Sequence, residues 1–119
     1  VDISLDTFPY GGGITTFESL CMGSPVVGLT GGLKQSHRNS SAILSPLGLD
    51  DWVAKTKDEY IEIVCNWANN LENLSRLREQ LRGRMEERMA GFVPQVEIAY
   101  REMWSRWCRR EESSSIYIK

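Results

Sequence analysis

The stretch Ile3-Ser4-Leu5-Asp6-Thr7-Phe8-Pro9-Tyr10-Gly11-Gly12-Gly13-Ile14-Thr15-Thr16-Phe17-Glu18 decides the reading of this chain. A strand end, Ile3 to Leu5, runs through a glycine-rich turn into an apolar helix start. Glycine lets backbone approach a ligand closely, and a helix start offers free amides to an anion. Thr15 and Thr16 are hydroxyl residues suited to cap that helix, and Glu18 sits one turn further in, within reach of sugar hydroxyls. Together these residues describe a nucleotide pocket.

The residues around this stretch repeat the same alternation. A helix over residues 15–22 is closed by Gly23, a fully apolar strand follows over residues 25–29, and Gly31-Gly32 breaks the chain before a helix over residues 36–44. Strand, helix and strand at this spacing give parallel pairing, and the continuous Val26-Val27 pair suits a sheet covered on both faces. Residues 1–54 therefore read as part of a doubly wound α/β sheet, in which ligands bind beyond the carboxyl ends of the strands. From Lys57 the period changes to about 3.6 residues. Tyr60, Ile63, Val64 and Trp67 share one helix face; Leu71, Leu74, Leu77, Leu81 and Met85 mark a second helix; Val96, Tyr100, Met103, Trp104 and Trp107 mark a third, opened by Pro94. Proline is tolerated in a first helical turn. The spacing of Trp104 and Trp107 with Tyr100 and Met103 reads as core packing rather than sugar stacking. Residues 111–119 carry no helical stripe and read as a flexible tail.

Composition bounds the function. The chain has 119 residues, sufficient for one compact domain but short for two lobes. It opens on Val1 inside what reads as a buried strand end, so it is expected to be a fragment of a longer chain. A formal net charge of -2 gives no electrostatic reason to expect nucleic acid or an anionic membrane as partner. The three cysteines, Cys21, Cys65 and Cys108, are odd in number and widely spaced, which fits a reduced intracellular protein without a disulfide framework or zinc site. No apolar run approaches the roughly 20 residues that a membrane span needs.

Each candidate also has a plain structural reading. Triple glycines occur in flexible turns, and this spacing is neither the dinucleotide fingerprint nor a Walker loop. An acidic residue in a first helical turn, as Glu18 is read, is stabilised by the macrodipole alone. Asp6 reads as an Asx-type tie to the backbone. His37, the only histidine, has no nucleophile and orienter beside it; with Lys34 and Arg38 it forms either a solvated basic turn or a diphosphate contact.

The order of motifs is more specific than any one of them. Asp2 to Tyr10, then Gly-Gly-Gly-Ile-Thr-Thr-Phe-Glu-Ser-Leu, then Met22-Gly23-Ser24-Pro25-Val26-Val27, resembles the O-linked N-acetylglucosamine transferase family in the C-terminal catalytic lobe of these tetratricopeptide-linked enzymes. The resemblance continues through Gly48-Leu49, Trp52-Val53-Ala54 and Tyr100-Arg101-Glu102-Met103-Trp104. It implies an α/β fold: a partial Rossmann-like donor-binding lobe of a two-lobed, GT-B type glycosyltransferase, followed by the three amphipathic helices, with residues 1–110 as the distal part of that lobe. It implies transfer of N-acetylglucosamine from its uridine diphosphate ester to serine or threonine of intracellular proteins, in the cytoplasm or nucleus, with inversion and without a metal or other cofactor. Gly12, Gly13, Ile14 and Thr15 would lie along the diphosphate, Glu18 would take the ribose hydroxyls, and Thr16, His37 and Arg38 are secondary candidates. No catalytic residue falls in the chain.

The chain departs from the family's pattern within this very loop. Gly11 stands where an asparagine is usual, Gly13 where a threonine or histidine is usual, and Ile14 where a threonine is. Each lost side-chain donor to phosphate is worth about 1.5 to 3 kcal/mol. Ser36-His37-Arg38 replaces the usual Ser-Arg-Val. The family's phosphate-binding lysine, uracil-contacting segment and acceptor lobe would precede Val1, so the fragment alone is expected to be inactive. The rival readings are a non-catalytic remnant serving as a nucleotide-binding or interaction module, and a related glycosyltransferase with another donor sugar.

Overall fold

The computed structural model describes residues 1–31, 39–112 and 114–115, and it divides the chain into two compact units, Val1–Met85 and Glu86–Lys119. The first unit opens with strand β1 (Ser4–Leu5), the glycine turn and helix α1 (Ile14–Cys21). Strand β2 (Val26–Leu29) follows, and after it helix α2 (Asn39–Leu44). Two short 3-10 turns, Ser45–Leu47 and Asp50–Trp52, lead into β3 (Val53–Ala54), helix α3 (Lys57–Ala68) and helix α4 (Leu71–Cys108).

The three strands form a sheet in the order β1-β2-β3, and both pairs are parallel. Ser4 registers with Val26 and Leu5 with Val27; on the other side Gly28 registers with Val53 and Leu29 with Ala54. Val26 and Val27 are consecutive and both buried, so the central strand is covered on both faces as its unbroken apolar run requires. The third strand was not evident from sequence: Val53-Ala54 is only two residues long and carries no alternation.

Leu20, Val26, Val27, Leu44, Leu47, Leu49 and Trp52 form the core together with Leu74, Leu77, Leu81 and Met85 from α4. Trp52 stacks on Trp67 with ring centroids 4.7 Å apart. Tyr60, Ile63, Val64 and Trp67 pack against this core at its edge, as their spacing on α3 requires. Leu71, the first member of the leucine stripe, is exposed. Gly23 ends α1 in the left-handed region at φ 72, where a Cβ would stand 3.0 Å from the Arg78 carbonyl oxygen. Arg78 Nε in turn donates to the Gly23 carbonyl at 3.0 Å and its guanidinium pairs with Asp2, tying α4 to the start of the chain.

The expected second and third amphipathic helices are one continuous helix, with Pro94 inside it. Residues 86–95 are all exposed, so the hydrogen bond that proline removes leaves the Ala90 carbonyl to water instead of burying it unpaired. The tryptophan expectation is also corrected. Trp104 is 67% exposed and Trp107 75%, because within Glu86–Lys119 no further helix or strand packs on their face among the described residues. Arg106 there bonds Glu102 at 2.7 Å and Ser114 Oγ at 2.7 Å.

Candidate functional site

Helix α1 starts at the carboxyl end of β1, where the sheet topology places ligands. Its N-cap is Gly13, with φ -122 and ψ -92, and among the described residues no side chain caps the first turn. This corrects the capping role read for Thr15 and Thr16: both lie inside the first turn, Thr15 exposed and Thr16 buried. Their hydroxyls flank the turn instead. A Cβ on Gly12 would lie 2.5 Å from Thr16 Oγ1, 3.1 Å from Thr15 Oγ1 and 2.9 Å from Asp6 Oδ1, so only glycine fits there. Gly13 has no atom of the described residues within 4 Å of the same position and a negative φ, so nothing described there imposes its bareness by packing. Ile14 is 77% exposed.

Glu18 is exposed on the fifth residue of α1, beyond the first turn, which contains no acidic residue. The macrodipole explanation for it therefore loses its geometric basis, since that effect fades within the first turn. Gly12, Gly13, Ile14, Thr15, Thr16 and Glu18 thus lie together along one junction of turn and helix. His37 and Arg38 lie outside the described residues.

The turn is braced from below by Asp6, whose Oδ1 accepts the Thr7 amide at 2.9 Å and the Gly12 amide at 2.8 Å. Its Oδ2 accepts a short bond from the Ser40 hydroxyl at the start of α2. The Asp6 carbonyl accepts from Tyr60 Oη at 3.0 Å, and the Asp6 amide donates to Val27 O at 3.0 Å. Asp6 does tie backbone, but not as the Asx turn read from sequence: its side chain takes the amides one and six residues on and not the one two residues on, and Ser40, Tyr60 and Val27 are distant partners with no local signal. Tyr60 is half-buried, and its hydroxyl is held above the usual tyrosine value first by burial and then by the Asp6 charge. Phe8 meets the Tyr60 ring edge-on at 6.0 Å, with Lys57 Nζ 5.6 Å from the Phe8 centroid. Asn39 Nδ2 reaches the Gly11 carbonyl at 3.5 Å.

All three cysteines are free thiols. Among the described residues no three His, Cys, Asp or Glu side chains gather as a metal would need, and no helix is long and apolar enough to cross a membrane. The junction can offer backbone amides, the exposed Thr15 hydroxyl and the Glu18 carboxylate to a ligand that carries both anionic and hydroxyl groups.

Comparison with known proteins places the chain in a family. The family model of glycosyl transferase family 41 matches residues 1–93. A protein of Solanum lycopersicum named probable UDP-N-acetylglucosamine–peptide N-acetylglucosaminyltransferase SPINDLY is 43% identical over 91% of this chain and 12% of its own length. The protein of the same name from Arabidopsis thaliana is 41% identical over 96% of the chain and 13% of its own length. The solved structure of a mutant O-GlcNAc transferase from Thermobaculum terrenum superposes with a TM-score of 0.78 and 38% identity, covering 92% of this chain and 22% of that one. The chain thus spans only about an eighth of the curated relatives it matches, 12% and 13% in these two cases.

Proposed function

The chain belongs to glycosyl transferase family 41, and from that premise we propose that it is the distal part of the donor-binding lobe of a protein O-N-acetylglucosaminyltransferase acting on intracellular proteins of the cytoplasm or nucleus. Its donor is uridine diphosphate N-acetylglucosamine and its acceptors are serine and threonine hydroxyls. The transfer inverts the anomeric centre and uses no metal. The observation that carries this reading is the α1 start: a helix with no side-chain cap, opened by a glycine turn with room for backbone only at Gly12.

In this reading the amides of Gly13, Ile14 and Thr15 face the diphosphate, Gly12 lets the turn come close to it, and Glu18 accepts the two vicinal ribose hydroxyls. Thr16 supports Gly12 from within the fold, and His37 and Arg38 are secondary contacts. The chemical demand on this lobe is to stabilise a diphosphate as it leaves, which needs donors fixed before the reaction begins. The remaining groups would come from the rest of the longer protein. Titration of the full-length protein with uridine, guanosine and adenosine diphosphates tests the donor: uridine diphosphate should bind at least tenfold more tightly than the others, about 1.4 kcal/mol. Preference for guanosine diphosphate would reassign the donor sugar, and absence of binding by all three would overturn the reading.

One observation favours a second reading, a binding module without turnover. Gly13 and Ile14 supply no side-chain donor at the α1 start, so in its first turn a phosphate meets backbone amides and the exposed Thr15 hydroxyl alone. Transfer of N-acetylglucosamine to a peptide by the full-length protein would discard it.

A further inference from the structure

Asp6 stands at the base of the glycine turn with both carboxylate oxygens engaged. Its Oδ1 holds the Gly12 amide at 2.8 Å and the Thr7 amide at 2.9 Å, while Oδ2 takes the Ser40 hydroxyl. The Gly12 amide is therefore directed inward and is not free for a ligand. Gly12 and Asp6 also require each other: a Cβ on Gly12 would come within 2.9 Å of Oδ1. Charge-assisted bonds of this kind are about twice as strong as neutral ones, which suits a carboxylate that must fix a loop of three glycines. Such a loop otherwise has more backbone freedom to lose than any other sequence. A bare carboxylate beside a diphosphate would repel it; three donors spread over both oxygens screen that charge.

We propose that Asp6 is a positioning residue for the nucleotide diphosphate: by drawing the Gly12 amide inward it sets the Gly13, Ile14 and Thr15 amides outward as a preformed anion cradle. Ser40 and Tyr60 orient it, the first through Oδ2 and the second through the Asp6 carbonyl at 3.0 Å. This rests on the donor-lobe reading given above. The entropy of ordering the turn is then met during folding and not on binding, which is the gain from preorganisation.

The experiment uses the full-length protein and uridine diphosphate as probe, with calorimetric affinity, melting temperature and steady-state kinetics read for wild type, Asp6→Ala, Asp6→Asn and Ser40→Ala. Asp6→Ala should weaken uridine diphosphate about tenfold and raise donor KM by the same factor, with acceptor KM unchanged. Asp6→Asn keeps an oxygen for both amides and should stay within about threefold of wild type. Ser40→Ala, which leaves Oδ1 untouched, should fall between them and keeps the test alive if Asp6→Ala does not fold. A purely structural role would lower melting temperature and the fraction of competent protein while leaving the affinity of the folded fraction as it was. Wild-type affinity in folded Asp6→Ala, or in Ser40→Ala when Asp6→Ala is unfolded, overturns the proposal alone. Failure of the wild type to bind overturns the donor-lobe reading and this proposal with it.

Discussion

Helices α1 and α3 both begin just past the carboxyl end of a strand in one parallel sheet, and they treat their first amides in opposite ways. Thr56 caps α3 by accepting the Glu59 amide at 3.1 Å, and Glu59 Oε2 reaches back to the Lys55 amide at 2.6 Å. Asp58 and Glu59 add negative charge to that first turn. Helix α1 has a glycine at its cap, no side-chain bond and no acid in its first turn. The α3 start is satisfied by its own sequence and repels anions; the α1 start has neither feature among the described residues. One terminus is closed by its own side chains and the other, in the proposed function, meets the donor, although a sheet of this kind offers both positions.

The comparison can be broken most forcefully at Gly12. Gly12→Ala drives a methyl group against Thr16 Oγ1, and overpacking of this kind costs about 1 to 3 kcal/mol. Both melting temperature and uridine diphosphate affinity should fall, and a neutral outcome in both would show that the turn is looser than its geometry. Glu18→Ala should weaken uridine diphosphate by about 1 to 3 kcal/mol, the value of hydrogen bonds to a charged group, without lowering stability. Equal calorimetric affinity for this variant and wild type would remove the ribose role.

Thr56→Ala acts on the other terminus. It should lower stability by about 1 kcal/mol through loss of the cap and leave nucleotide affinity unchanged. A shift in affinity as large as that of Glu18→Ala would erase the distinction between the two helix starts. Gly13→Thr sharpens the contrast from the opposite side, because the added side chain enters open space at an accessible φ. It should tighten uridine diphosphate about three- to tenfold by supplying a hydroxyl donor. Weaker binding would mean that the space is already the ligand's own.

The smallest expected effect is the pH dependence of Tyr60. Burial first, and the Asp6 charge second, raise its pKa above the ordinary value of 10.0. The folded state then holds the phenol proton more tightly than the unfolded state. The resulting stabilisation is complete below about pH 10 and is lost as pH rises through the folded-state value. Melting temperature should therefore decline more steeply above pH 10 in wild type than in Tyr60→Phe, and parallel profiles would count against this account.

What could be read in the sequence follows the range of the forces involved. The β1–turn–α1 order, the parallel pairing of β2 and the α3 stripe are set by neighbouring residues and by periodicity, and all three are present. Asp6 illustrates the limit. A tie from its side chain to local backbone is legible in outline, though the partner is the adjacent Thr7 amide and not the Asx position, whereas its bonds to Ser40 and Tyr60 span 34 and 54 residues, which no window of sequence joins. Threonine's preference for the N-cap points to Thr15 and Thr16, but Gly13 occupies that position and the helix starts at Ile14. Pro94 reads as a helix start, yet full exposure around it makes its missing donor inexpensive inside α4. A sequence can show that a residue disfavours a helix interior, but the cost depends on whether water can reach the orphaned carbonyl.

The close approach of β2 and α2 carries a last consequence. A Cβ on Gly28, at the centre of the sheet, would lie 3.0 Å from Ser40 Cβ, and the same Ser40 side chain donates to Asp6. One serine thus reads the spacing between a strand and a helix at its carbon and reports it to the glycine turn at its oxygen. Given the positioning role proposed for Asp6, substitutions deep in the sheet should register in assays as altered nucleotide affinity, and a genetic screen for donor recognition should return residues that never meet the donor.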